Sequence, residues 1–274
     1  MPETLQDSLP LIFALLAAGA AAGVTAGLFG IGGGVVIVPT LAFTFTQLGY
    51  EAVSMHAAVG CSLATIVVTS IRSAMSHHKR GAVDLDIARA WIPWIILGAI
   101  SGAFIAGALP RDAMRGVFAG VLFLISWQFI LGSPDWTLRE TMPSGLPRAG
   151  IGTGLGALSG VMGIGGGTFG VLLMTLCGQS VHRAVGTAAS FGAAIGFPAA
   201  IGFMITGWNV SDLPPYSLGY LNLPAILIIA VMTTSLAPLG ALLAHRLKAT
   251  TLKRTFGIAM LLISLNMLRL TFGF

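Results

Sequence analysis

Long apolar runs recur along this chain, separated by short polar breaks. In the first half they cover 9–29, 31–48, 55–75, 91–109 and 116–131, and in the second 149–162, 165–177, 184–206, 223–244 and 256–274. Most approach the roughly 20 residues a helix needs to cross a hydrocarbon core of about 30 Å. The runs at 149–162 and 165–177 are shorter, about 20 Å each at 1.5 Å per residue, and read as short spans or as a re-entrant pair. The pattern predicts an all-α polytopic membrane protein.

Two glycine runs punctuate it. Residues 27–34 read GLFGIGGG and residues 160–167 read GVMGIGGG. Downstream, the stretch from His56 to Cys61 aligns with that from His182 to Thr187, and Phe118 to Ser126 with Gln128 aligns with Phe256 to Ser264 with Asn266. Three matching blocks in one order imply duplication. The expected organisation is a first membrane repeat over 1–133, a cytoplasmic linker over 134–147 and a second repeat over 148–274.

Charge orients the halves. Five runs per half is an odd number, so the second half enters from the opposite face and the repeats are inverted. With the N-terminus outside, Lys79, Arg80, Arg89, Arg139, Arg148, Arg183, Arg246, Lys248, Lys253 and Arg254 fall in inside loops, against Arg111, Arg115 and Arg269 outside. Treating each glycine-broken pair as one crossing makes the halves parallel and puts the 246–254 cluster outside, against the positive-inside rule. Both termini are therefore expected to be periplasmic or extracellular. The first run follows Glu3 and Asp7 with no Lys or Arg before it, unlike a signal peptide, and is expected to be retained.

Composition agrees: 55% of residues are hydrophobic and 8% charged, too apolar for one soluble core. The net charge of +5 sits in short clusters between apolar runs, so its partner is the lipid surface and not a nucleic acid. Cys61 and Cys177 lie in apolar runs without CxxC spacing, which supports neither a metal site nor a disulfide. The glycine runs lack the strand and the following acid of a dinucleotide site, and no cofactor is expected.

Gly30, Gly32, Gly33 and Gly34, mirrored by Gly163, Gly165, Gly166 and Gly167, free the backbone to leave the helix at membrane depth. Such a break survives in lipid only when buried in protein or lining a cavity. Broken helices at matching positions of inverted halves point to a transporter's binding site, with half-helix N-termini presenting N–H groups to an anion. The candidate substrate shell is Gly32, Gly33, Gly34 and Val35 on one wall and Gly165, Gly166, Gly167 and Thr168 on the other. Cys61, Ser62, Thr187 and Ser190 complete it. The competing readings are close helix packing for the glycines and a bond back to the parent helix for the hydroxyls.

Gate or path candidates are His56 and His182, at one repeat position on opposite faces, where either gating or helix capping would suit a histidine. Arg72 is the one cation within a span and can also snorkel toward the His77 to Arg80 cluster. Gln128 and Asn266 are amides that line the path or glue helices together. No Asp or Glu lies deep in a span, so no carboxylate proton relay is visible. Ser159 with His182 makes a serine-protease pair only by composition, without a motif, and no enzyme is expected.

The duplicated GxGGG segments, Pro39 after the first, the HAAVGCS stretch at 56–62 and the HHKRGAVD loop at 77–84 resemble the TauE/SafE sulfite exporter family of the four-toluene-sulfonate uptake permease superfamily. The resemblance covers nearly the whole chain. It implies a bacterial inner-membrane transporter of small sulfur-containing anions such as sulfite, thiosulfate, sulfoacetate or other organosulfonates, working by export and alternating access. Two departures stand out: Leu172 follows the second run where Pro39 follows the first, and Thr187-Ala188 replaces Cys61-Ser62. The halves are thus expected to contribute unequally. The alternatives are an uptake permease for another small carboxylate or inorganic anion, or a membrane accessory subunit. Expected partners are a small anion and lipid, with a homo-oligomer left open.

Overall fold

The computed structural model describes residues 5–29, 33–132, 137–246 and 249–273. They form ten helices: α1 (Leu5–Phe29), α2 (Gly34–Gln47), α3 (Ser54–Lys79), α4 (Leu85–Ala108), α5 (Arg111–Leu131), α6 (Gly145–Met162), α7 (Gly167–Leu176), α8 (Val181–Thr206), α9 (Leu223–Arg246) and α10 (Ala249–Phe272). Between α8 and α9, β1 (Ser217–Leu218) pairs antiparallel with β2 (Leu221–Asn222). Each expected apolar run is a helix, because hydrocarbon offers backbone groups no water and a helix satisfies them within itself. Five stretches are long and apolar enough to cross a membrane: Glu51–Lys79, Leu85–Ala108, Arg111–Leu131, Val181–Thr206 and Arg254–Phe272. The chain is a multi-pass membrane protein.

Several helices begin ahead of their apolar runs, among them α4 at Leu85, α6 at Gly145 and α10 at Ala249. Helix α6 starts at Gly145, so Pro147 falls within its first turn instead of closing the linker. The first-turn N–H groups of a helix have no partner anyway, so a proline costs little there.

Packing pairs α1 with α9, α4 with α6, α3 with α8 and α5 with α10. Exchanging the first five helices for the last five maps this set onto itself. Helices α3 and α8 run antiparallel, with Phe203 beside Gly60, the Leu63 carbonyl beside Gly196 and Ser70 beside Gly192. So do α5 and α10: Phe129 meets the Phe256 ring edge-on at 5.4 Å, and Arg115 Nη1 donates to the Leu270 carbonyl at 3.2 Å. Antiparallel contact between equivalent helices is the geometry inversion requires.

Helices α4 and α6 run parallel along a seam of small residues. A methyl group on Gly102 would overlap the Ala157 backbone, and one on Gly156 the Ile95 carbonyl. Glycine lets the two backbones approach, which is how helices gain contact in a solvent as apolar as their own side chains.

The N–H groups of Leu138 and Arg139 donate to the Leu176 carbonyl at 2.9 and 3.1 Å. Helix α7 therefore ends beside the segment that leads into α6, and the α6–α7 pair enters and leaves at one end of the molecule. That end carries Asp84, paired with Arg183 at 2.7 Å. The opposite end carries Tyr220, Leu109 and the Arg111 to Glu51 ion pair.

Candidate functional site

Both breaks turn on a glycine in the left-handed region, Gly33 at φ 75° ahead of α2 and Gly163 at φ 68° closing α6. A side chain there would be strained. The Gly33 carbonyl accepts the N–H groups of Val36 and Ile37 at 2.9 and 3.0 Å and so starts α2. The two breaks then meet. A methyl group on Gly34 would lie 2.6 Å from the Gly163 carbonyl oxygen and 3.1 Å from Ile164 Cα. Ser62, from α3, donates its hydroxyl to that same Gly163 carbonyl at 2.7 Å. Ile66, one turn further along α3, lies against both Gly34 and Gly165, and Phe191 of α8 covers Gly166 and Gly170. The glycine backbones of the two halves thus come together beside the middle of α3.

Of the expected shell, Gly33, Gly34, Val35, Gly165, Gly166, Gly167, Thr168 and Ser62 are buried and border this junction or its half-helices. Gly32 lies outside the described residues. Cys61 and Thr187 have other partners. Thr187 Oγ1 accepts the Asp84 N–H at 2.8 Å, and Cys61 Sγ accepts the Asn222 N–H at 3.2 Å. Asp84 caps α4 by accepting from the N–H groups of Asp86 and Ile87, and Asn222 caps α9 by accepting from that of Ala225. Aligned residues of the two halves therefore hold equivalent helix caps, one at each end, each across the boundary between halves. Ser190 donates to the Thr187 carbonyl at 2.5 Å, the local bond that a helical serine often makes. The caps themselves escape a motif search; their signal is an Asp or Asn just ahead of a long apolar run.

His56 is buried. Its Nε2 donates to the carbonyls of Ala106 and Leu109 at 3.2 and 3.1 Å, at the end of α4, and its ring stacks on Tyr220 at 4.8 Å. Burial raises the Tyr220 phenol above its ordinary value, so it stays neutral in that stack. His182 lies exposed at the Asp84 end, so the aligned histidines occupy opposite ends but different environments. It does not pair with Ser159, which is wholly buried in α6. Arg72 and Asn266 are exposed and Gln128 is half-buried; none is among the nearest neighbours of the break glycines.

Among the described residues, two buried hydroxyls have no partner, Ser159 Oγ in the last turn of α6 and Thr168 Oγ1 in the first turn of α7. They flank the second break. Ser159 is an addition to the expected set; its signal is a lone serine one turn before a glycine run.

Among the described residues, ten helices, with the glycine-led start of α2 packed on the glycine-rich turn after α6 inside the bundle, define a multi-pass membrane protein. The model of the sulfite exporter TauE/SafE family matches residues 15–267, and the chain belongs to that family. A probable membrane transporter protein of Haemophilus influenzae is 37% identical over 260 residues, covering 93% of this chain and 97% of that one. The probable membrane transporter protein YdhB of Bacillus subtilis is 29% identical over 171 residues, 60% of this chain and 67% of the relative. One from Methanocaldococcus jannaschii is 27% identical over 245 residues, covering 85% and 86%. No solved structure matches. Membrane transport is the role the family and these relatives share.

Proposed function

We propose that this chain exports small sulfur-containing anions, such as sulfite, thiosulfate, sulfoacetate or other organosulfonates, across a bacterial inner membrane. It works by alternating access between two inverted halves, 1–133 and 148–274, joined by a cytoplasmic linker. The observation that carries the reading is the junction itself: Gly34 packs on Gly163 where two half-helices begin and end, with Ser62 bonded across. Half-helix N-termini present unpaired N–H groups and the positive end of the helix dipole, which suits an oxyanion.

The antiparallel α3–α8 and α5–α10 pairs support inversion of the halves. Orientation follows from charge. The Asp84 end gathers Lys79, Arg80, Arg139 and Arg183, whereas at the Tyr220 end Arg111 and Arg115 are offset by Glu51 and Asp112. The first end faces the cytoplasm by the positive-inside rule. Rocking the halves would part the Thr187–Asp84 contact on one side and the Cys61–Asn222 contact on the other, opening the junction to each face in turn.

The test is flux from proteoliposomes loaded in turn with sulfite, thiosulfate, sulfoacetate and acetate. Movement of the sulfur anions above protein-free vesicles supports the proposal. Movement of acetate alone would replace it with a carboxylate permease, and no movement of any would refute transport.

A further inference from the structure

Two contacts, one at each end of the molecule, are built on one plan. At the Tyr220 end, a methyl group on Gly60 would lie 2.9 Å from the Tyr220 carbonyl oxygen, and the next residue, Cys61, accepts the Asn222 N–H at 3.2 Å. At the Asp84 end, a methyl group on Gly186 would lie 2.4 Å from the Ala82 carbonyl oxygen, and the next residue, Thr187, accepts the Asp84 N–H at 2.8 Å. Gly60 and Gly186 hold one position in the matching sequence blocks. In each case the segment just ahead of a long helix lays a carbonyl on a glycine of a helix in the other half, and gives the N–H two residues on to the side chain that follows that glycine. Each contact is a latch. Cys61 and Thr187 are both 0% exposed, so both latches are shut.

They differ in what reinforces them. Tyr220 is 6% exposed, and its ring stacks on His56 at 4.8 Å and meets Phe203 edge-on at 6.3 Å. The Asn222 amide pins the same hairpin by donating to the Pro215 carbonyl at 2.9 Å and to Ser217 Oγ at 3.1 Å. Opening this latch gives up a buried aromatic surface and its pairing. At the other end the equivalent residue is Ala82, which has no ring, and the residue aligned with His56 is the exposed His182. The reinforcement there is the Asp84–Arg183 ion pair, whose arginine side chain is 56% exposed. A pair so open to water contributes little.

Resting on the transport reading above, we propose that these latches are the two gates of the transport cycle and that the Asp84 latch is the weaker. Without cargo the chain therefore opens more often at its cytoplasmic end, where an exporter collects its anion.

The test is labelling of the full chain in vesicles with an impermeant methanethiosulfonate, added to one face at a time. One form keeps Cys61 and carries Cys177→Ser; the other carries Thr187→Cys with Cys61→Ser and Cys177→Ser. Each reports one latch with the same thiol, and labelling follows the population of the open state. Without anion, the thiol of Thr187→Cys should label from the cytoplasmic face about fivefold or more faster than Cys61 does from the opposite face, the scale of one aromatic pair. Tyr220→Ala gives the stronger latch the side chain of the weaker one, so it should speed Cys61 labelling by about fivefold or more and slow that of Thr187→Cys. The slowing separates a gate from a loosened fold, which would speed both. Tyr220→Phe keeps the ring and should leave both rates at the parent values. Equal or reversed parent rates would overturn the inequality, and labelling of each thiol only from the other face would overturn cytoplasmic loading. Both rates rising together in Tyr220→Ala, or no labelling of either thiol, would overturn the gates. Sulfite and thiosulfate flux is followed in the same vesicles. Flux without reciprocal labelling would overturn the gates alone, whereas reciprocal labelling without flux of either anion would refute the sulfur-anion reading and leave the paired latches standing.

Discussion

Thr187 Oγ1 accepts the Asp84 N–H at 2.8 Å, and this bond ties the N-cap of α4 in one half to α8 in the other. The side chain is wholly buried, so its loss strands a donor in place of trading it for water. Thr187→Val should therefore cost about 1–3 kcal/mol, while Thr187→Ser should recover most of it. Thermal unfolding of the detergent-purified variants reads the difference; equal midpoints for Val and Ser would show that the bond carries no stability.

The Ser62 to Gly163 bond also crosses between the halves, and it holds the second break against α3. Removing the hydroxyl in Ser62→Ala leaves the Gly163 carbonyl short of a donor and should cost about 1–3 kcal/mol. Because the bond closes the junction, the same variant should change anion flux in vesicles as well as the melting midpoint.

Two helical glycines, Gly34 at the start of α2 and Gly120 in the interior of α5, should respond in opposite directions. A methyl group on Gly34 meets backbone at 2.6 Å, which cannot rotate aside, whereas one on Gly120 in α5 meets nothing within 4 Å. Gly34→Ala should lose about 1–3 kcal/mol through overpacking. Gly120→Ala should gain up to about 1 kcal/mol from helix propensity. Melting midpoints that fall for the first and hold or rise for the second would bear this out.

His56 joins the start of α3 to the end of α4 through two carbonyls and stacks on Tyr220. His56→Phe retains the ring stack and loses the donor, so it should destabilise by about 1–3 kcal/mol. Tyr220→Leu removes the ring instead, and an aromatic pair is worth about 0.5–1.5 kcal/mol beyond its area. A double-mutant cycle on these two positions should show coupling, and strict additivity would argue that the stack is incidental.

Sidedness is open to direct measurement. In a background where Cys61 and Cys177 are replaced, a cysteine at Arg139 should react with an impermeant thiol reagent only from the cytoplasmic face, and one at Asp212 only from the opposite face. The reverse pattern would invert the proposed orientation without altering the fold.

The amino-acid pattern by itself determined the number, type and approximate bounds of the helices, and its matching blocks are the basis for expecting a duplication. Hydropathy reports the solvent that each segment meets, and in lipid that solvent dictates helix. Its reach is local. It placed the α6 boundary late, since nothing in the sequence distinguishes Pro147 as a linker residue from Pro147 in a first helical turn.

Tertiary structure alone decided where the polar side chains go. The sequence offers Cys61 and Thr187 as anion ligands, yet the fold hands each a backbone N–H, from partners 161 and 103 residues away. Such partners are set by how α3 and α8 cross, not by any local period. The same crossing brings Gly34 onto Gly163, buries His56 while exposing His182, and leaves Thr168 and Ser159 unsatisfied beside the second glycine run. Repetition in the sequence made the two halves look alike; packing set Gly34 of the first break against the Gly163 backbone and left the hydroxyls of Ser159 and Thr168, beside the second, without a partner.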